Sequence, residues 1–137
     1  MRHSLILLLF AMILSTHLIA QEYAVIAHKS TPILTLEQIR AIYLKKLSRI
    51  NNITMVPLNL KANDPLRQSF EKHVLHMSFQ RLKSYWSRQH YLGHRPPVSM
   101  QSQESALTFV NNVEGALAYI DAKNINDDLH VIYRWRD

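Results

Sequence analysis

The residues best placed to do chemistry fall in one stretch, Leu58-Asn59-Leu60-Lys61-Ala62-Asn63-Asp64-Pro65-Leu66-Arg67-Gln68-Ser69-Phe70. Asn63 and Asp64 are good helix N-caps. Pro65 follows at the first helical position, where its fixed φ and missing N–H cost nothing. A strand that feeds a capped helix start often binds anions, because free N–H groups and the positive end of the helix dipole point there. Arg67, on the first turn, adds a cation. The same residues also have a purely structural reading. Every helix must satisfy its first N–H groups, Asp64 does so from within the chain, and Arg67 is then a surface arginine.

Other chemistry is thin. Eight histidines are present, of which His73/His76 and His90/His94 have a spacing that puts two rings on one helix face. No Asp or Glu stands between or beside either pair, and Gly93 and Pro96 interrupt a helix through His94. No metal site and no cofactor is expected. There is no cysteine and no Gly-x-Ser-x-Gly, and the carboxylates are scattered, so no enzyme is expected either. Phe79, Leu82 and Trp86 share one helical stripe and read as a buried anchor, with Tyr85 and Tyr91 also assigned to the core. Arg81, Lys83, Arg88 and Arg95 read as a solvated basic face.

The elements that must carry these residues follow from periodicity and capping. Glu22 to His28 reads as a buried strand and Lys29 to Pro32 as a turn. Thr35 and Gln38 form a capping box for a helix from Leu36 to about Lys45. Asn51-Asn52 turns into a strand, Ile53 to Leu58. A helix from Pro65 to about Leu75 and another from Ser78 to about His90 follow. Gly93 to Pro97 cannot be helical, and Val98 to Met100 is a short extended piece. Ser102 caps a helix through Asn111. The strands Ala116–Ile120 and Leu129–Tyr133 and a tail, Arg134 to Asp137, complete the chain. Strands alternating with helices predict an α/β fold, with one small mixed or parallel sheet flanked by helices.

The chain has 137 residues, enough for one core. Residues 1–20 have the layout of a cleaved secretory signal: a basic start, a short apolar run and Ala20 before the cut. The apolar run is short for a membrane span of about 20 residues. Residues 21–137 form the expected domain, with a net charge of about +5. An exported chain without cysteine fits the periplasm, and export removes nucleic acid as a partner. The basic balance suits anionic ligands or membrane surfaces as well as plain solubility.

A family pattern accumulates along this order. Leu34-Thr35-Leu36-Glu37-Gln38-Ile39-Arg40-Ala41-Ile42-Tyr43-Leu44, Val56-Pro57-Leu58 with Arg67-Gln68-Ser69-Phe70, Tyr85-Trp86, and Gly115-Ala116-Leu117-Ala118-Tyr119-Ile120 resemble successive segments of phosphate-type periplasmic substrate-binding proteins. The chain looks like a short, single-domain member, similar to one lobe of a type II periplasmic binding protein. The resemblance implies a solute-binding-like protein that takes phosphate or another small oxyanion for an ABC-type transport system. The alternative is a periplasmic interaction or sensor-accessory module, docked on a membrane transporter or sensor protein, that has lost its small ligand. In the family a Ser-Gly-Thr turn holds the phosphate. Here those positions fall on Asp64-Pro65-Leu66, and the family's upstream arginine falls near Leu60. The ligand contacts expected from the resemblance and from position are therefore Ser30, Thr31, Asn63 and Arg67. One lobe offers half a cleft, so its hold on a small anion should be weak unless a second chain supplies the other wall.

Overall fold

The computed structural model describes residues 19–137. The expected leader therefore lies outside the described residues except for Ile19 and Ala20. Five strands form one sheet: β1 (Glu22–Ala27), β4 (Val56–Asn59), β5 (Val98–Ser99), β6 (Ala116–Asp121) and β7 (His130–Arg136), in the order β5-β4-β6-β1-β7. A hairpin of β2 (Arg49–Ile50) and β3 (Ile53–Thr54) stands apart. The helices are α1 (Leu36–Tyr43), α2 (Pro65–His73), α3 (Phe79–Tyr91) and α4 (Gln103–Asn112). The sheet is mixed. β4 runs parallel to β5 and β6, whereas β1 is antiparallel to both β6 and β7.

The helix starts form as their sequence dictates. Thr35 and Gln38 make the reciprocal capping box, Asp64 and Ser78 each accept a backbone N–H, and Ser102 caps α4. Each cap satisfies donors that the first turn cannot use internally. The expected strand Ile53 to Leu58 is two strands, broken at Met55, whose side chain is buried. Asn51 and Asn52 both have positive φ (48° and 65°), as a two-residue hairpin turn requires. Gly115 also has positive φ, and a Cβ there would collide with the Thr54 carbonyl. This close approach lets the Val56 N–H reach the Gly115 carbonyl at 2.8 Å and starts the β4–β6 pairing.

The two faces of the sheet are packed separately. In β6, Ala116, Ala118 and Ile120 meet Ala106 and Val110 of α4, while Leu117 and Tyr119 meet the core under α1 and α2. The large aromatic residues of the second face are Tyr43, Phe70, Tyr119 and Trp135. Phe70 stacks on Tyr119 with centroids 4.1 Å apart, and lies 4.6 Å from Tyr43 and 5.8 Å from Trp135.

Two expectations about the core are corrected. The residues from Arg134 are not a tail: β7 continues to Arg136 and buries Trp135, because Glu22 and Tyr23 of β1 pair with Arg136 and Trp135. The anchor of α3 is narrower than its stripe suggests. Leu82 is buried and Trp86 partly so, but Phe79 is 67% and Tyr91 90% exposed. They lie at the two ends of a helix that touches the core only along its middle.

Candidate ligand-binding edge

The carboxyl ends of parallel strands are where open α/β sheets bind ligands. Here β4 and β5 end side by side at Asn59 and Ser99, and β6, whose Tyr119 is level with Asn59, runs on two residues to Asp121. Asn59 is buried, and its side-chain oxygen accepts a hydrogen bond from Tyr119 at 2.9 Å. The Tyr119 hydroxyl in turn accepts the Leu60 N–H at 3.1 Å. Tyr43 donates to the Leu58 carbonyl at 3.0 Å. Burial pushes both phenols upward in pKa. They are neutral hydrogen-bonding struts that fix the end of β4, not acids. On β6, the Asp121 carboxylate accepts from Gln21 at 2.6 Å and from the Lys123 N–H, while Gln103 caps the Asp121 N–H at 2.8 Å.

The start of α2 sits beside this edge. Asp64 Oδ1 accepts the Leu66 N–H at 2.9 Å, so the carboxylate occupies the helix N-terminus. Arg67 turns back along α2. Its Nη1 donates to the Leu60 carbonyl at 2.9 Å and lies 3.5 Å from Ser99 Oγ. Its Nε lies 3.6 Å from a Glu71 carboxylate oxygen, buried and without a hydrogen-bond partner. The Arg67 side chain is 17% exposed, so the surface reading fails. The guanidinium ties α2 to β4. Burial raises the Glu71 pKa, and Arg67 pulls it part of the way back.

The four expected contacts do not converge. Asn63 is exposed in the β4–α2 loop, one residue before the cap, and Arg67 is on α2 at the same edge. Ser30 and Thr31 follow β1, which runs opposite to β4 and β6, so they leave the sheet at its other end, where the His28 N–H meets the Ala116 carbonyl. The rise from Ala116 to Tyr119, level with the end of β4, separates the two groups by roughly 10 Å or more along the sheet. Ser30 Oγ lies 2.7 Å from His28 Nδ1. Thr31 is buried, its carbonyl 2.7 Å from His130 Nε2 and its hydroxyl unpaired. A groove of about 630 Å³ opens between α2 and the start of α3, lined by Gln68, Glu71, Lys72, His76 and Phe79 among others, and by none of the four.

Asn59 and Tyr119 escaped the sequence reading. The signal was a lone polar residue between Leu58 and Leu60 in an apolar run. Its partner, 60 positions away, could not be paired with it from spacing. The histidines are dispersed, with His73 on Asp137 at 2.8 Å and His94 on Gln89 at 2.8 Å. Among the described residues no three metal-ligating side chains cluster.

No protein-family model matches the sequence, and neither does any curated protein. Solved structures do match. One is a protein from Clostridium perfringens assigned as a phosphate ABC transporter substrate-binding protein, with bound phosphate; it is 21% identical, with a TM-score of 0.63. The chain has the fold of about half of such a protein. A second, an ABC-type phosphate transport receptor from Vibrio cholerae, is 18% identical with a TM-score of 0.65. Each alignment takes in 82% of this chain and 45% or 46% of the other. At these identities the substrate-binding-protein likeness is one of fold. It agrees with the segments from Leu34 to Leu44 and Gly115 to Ile120, which form α1 and enter β6.

Proposed function

We propose that this chain is an exported, periplasmic binding module, not an enzyme, that works beside a membrane transporter or sensor protein and meets it at the carboxyl edge of β4, β5 and β6. One observation carries this reading. The Asp64 carboxylate holds the α2 N-terminus, and Arg67 is turned onto Leu60 and Glu71. An oxyanion brought to about 4 Å from Asp64 meets a repulsion of ~1 kcal/mol in water and ~4 kcal/mol at an intermediate dielectric. Pro65 withdraws a further N–H donor. Arg67 Nη1 is already taken by the Leu60 carbonyl, and its unpartnered Nε is buried beside Glu71. The edge is thus poor in donors free to reach an anion, which suits a protein surface better than a small anion.

A second reading is supported by the phosphate bound in the Clostridium perfringens structure. In it the chain binds phosphate or another small oxyanion for an ABC-type system, with a second wall covering the half-cleft. Calorimetric titration of residues 21–137 with phosphate and with sulfate separates the two. The first reading expects no saturable heat below about millimolar. Saturable binding tighter than that overturns it in favour of solute binding.

A further inference from the structure

From Lys72 to Gln103 the chain has five Lys or Arg residues and no Asp or Glu. The middle of this segment is α3, 13 residues long and about 20 Å from end to end. Its helical spacing puts Gln80, Lys83, Ser84, Ser87, Arg88 and Tyr91 on one outward arc, all of them exposed, with exposed Arg81 beside it. Among the described residues, none of Arg81, Lys83, Arg88 and Arg95 lies within ion-pair distance of a carboxylate. Arg81 and Arg88 border a shallow depression of about 380 Å³ that also takes in Ser84 and Tyr85. Large apolar side chains stand open at both ends of the helix: Phe79 at 67%, Tyr91 at 90% and Leu92 at 66% exposure.

We propose that the outer face of α3 is a docking surface for a bilayer rich in anionic lipid headgroups. Unpaired Lys and Arg side chains on a helix lying along the surface meet lipid phosphates without needing a fixed acceptor geometry. Exposed Tyr91 and Leu92 at the C-terminal end suit the headgroup boundary, where an amphipathic ring or short aliphatic chain gains contact with the acyl region, whereas Phe79 lines the groove beside α2. An acidic protein would account for the charges but leaves Tyr91 and Leu92 open to water. No described helix is long and apolar enough to cross a membrane, so the contact is peripheral. This surface is separate from the carboxyl edge of the sheet, and it holds the module close to a membrane partner.

The test is vesicle co-sedimentation of residues 21–137, which contain every described element of the fold. Phosphatidylglycerol-containing vesicles are compared with neutral phosphatidylcholine vesicles, at low and at physiological salt. Binding is expected on anionic vesicles only, weakening with salt. It should not be displaced by inorganic phosphate at constant ionic strength. Each Lys or Arg at such a surface contributes about fivefold in affinity, so Arg81→Glu/Lys83→Glu/Arg88→Glu should lose at least about a hundredfold. Tyr91→Ser/Leu92→Ser should weaken vesicle binding while leaving any binding to polyglutamate unchanged. Circular dichroism melts confirm that both variants fold. Equal binding to neutral and anionic vesicles, or none to either, overturns the proposal. So does charge reversal without effect, or polyglutamate binding as tight as vesicle binding. Displacement by free phosphate also overturns it. Apart from displacement by free phosphate, none of these outcomes bears on the phosphate and sulfate titration of the carboxyl edge.

Discussion

Helices α2 and α3 are consecutive, lie on the same side of the sheet and start in the same way, with a capping side chain accepting an N–H of the first turn. They then diverge. α2 buries Leu66, Ser69 and Phe70, and its Arg67 and Glu71 face each other across one turn. α3 buries Leu82 and leaves its cations to solvent. The first helix pairs Arg67 with Glu71 inside the fold, and the second leaves Arg81, Lys83 and Arg88 exposed. A helix start resembling an anion site is therefore not by itself evidence of an anion site. What decides is whether the fold has already paired the charges.

That contrast can be broken at several points. Phe70→Ala removes the ring at the centre of the aromatic cluster and should cost about 3–5 kcal/mol in urea unfolding. A loss below about 1 kcal/mol would mean that α2 is not the structural helix of the pair. Tyr119→Phe should cost about 1–3 kcal/mol in the same measurement, because the Leu60 N–H and Asn59 oxygen lose their buried partner. Asp64→Ala removes a cap and should cost about 1 kcal/mol. Asp64→Asn keeps the cap and removes the charge, so stability should hold. Any phosphate affinity that then emerges in titration identifies Asp64 as the group that excludes anions. The smallest effect is expected on α3, where Arg81→Glu/Lys83→Glu/Arg88→Glu should change stability by less than about 0.5 kcal/mol per site.

Glu71 adds a pH-dependent test. Its pKa is raised in the fold by burial, with Arg67 lowering it in part. A carboxyl whose folded pKa exceeds its unfolded value binds its proton more tightly in the native state. Its contribution is therefore fully present below the unfolded pKa and disappears as pH rises through the folded one. Glu71→Gln should remove that loss, so that the variant's stability relative to wild type grows as pH rises through the carboxylate range. Denaturant midpoints at several pH values measure this. A flat difference would mean that Arg67 fully compensates the buried charge.

The α/β class and nearly every helix start were legible because they are local. A cap at Thr35, Asp64, Ser78 or Ser102 is a hydrogen bond between residues two or three apart, and amphipathic spacing repeats within a turn or two. The sequence by itself determined those elements, the turn glycine at Gly115 and the absence of a Ser-Gly-Thr turn before α2. It did not determine the direction of β1, since a strand's own residues read the same in either orientation. Only pairing with β6 decided that Ser30 and Thr31 emerge at the far end of the sheet from Asn63 and Arg67. The burial of Trp135, the Asn59–Tyr119 bond and the inward turn of Arg67 likewise rest on contacts with distant parts of the chain or on the way elements pack. Tertiary structure alone settles these, because what a side chain meets depends on which elements the fold brings beside it.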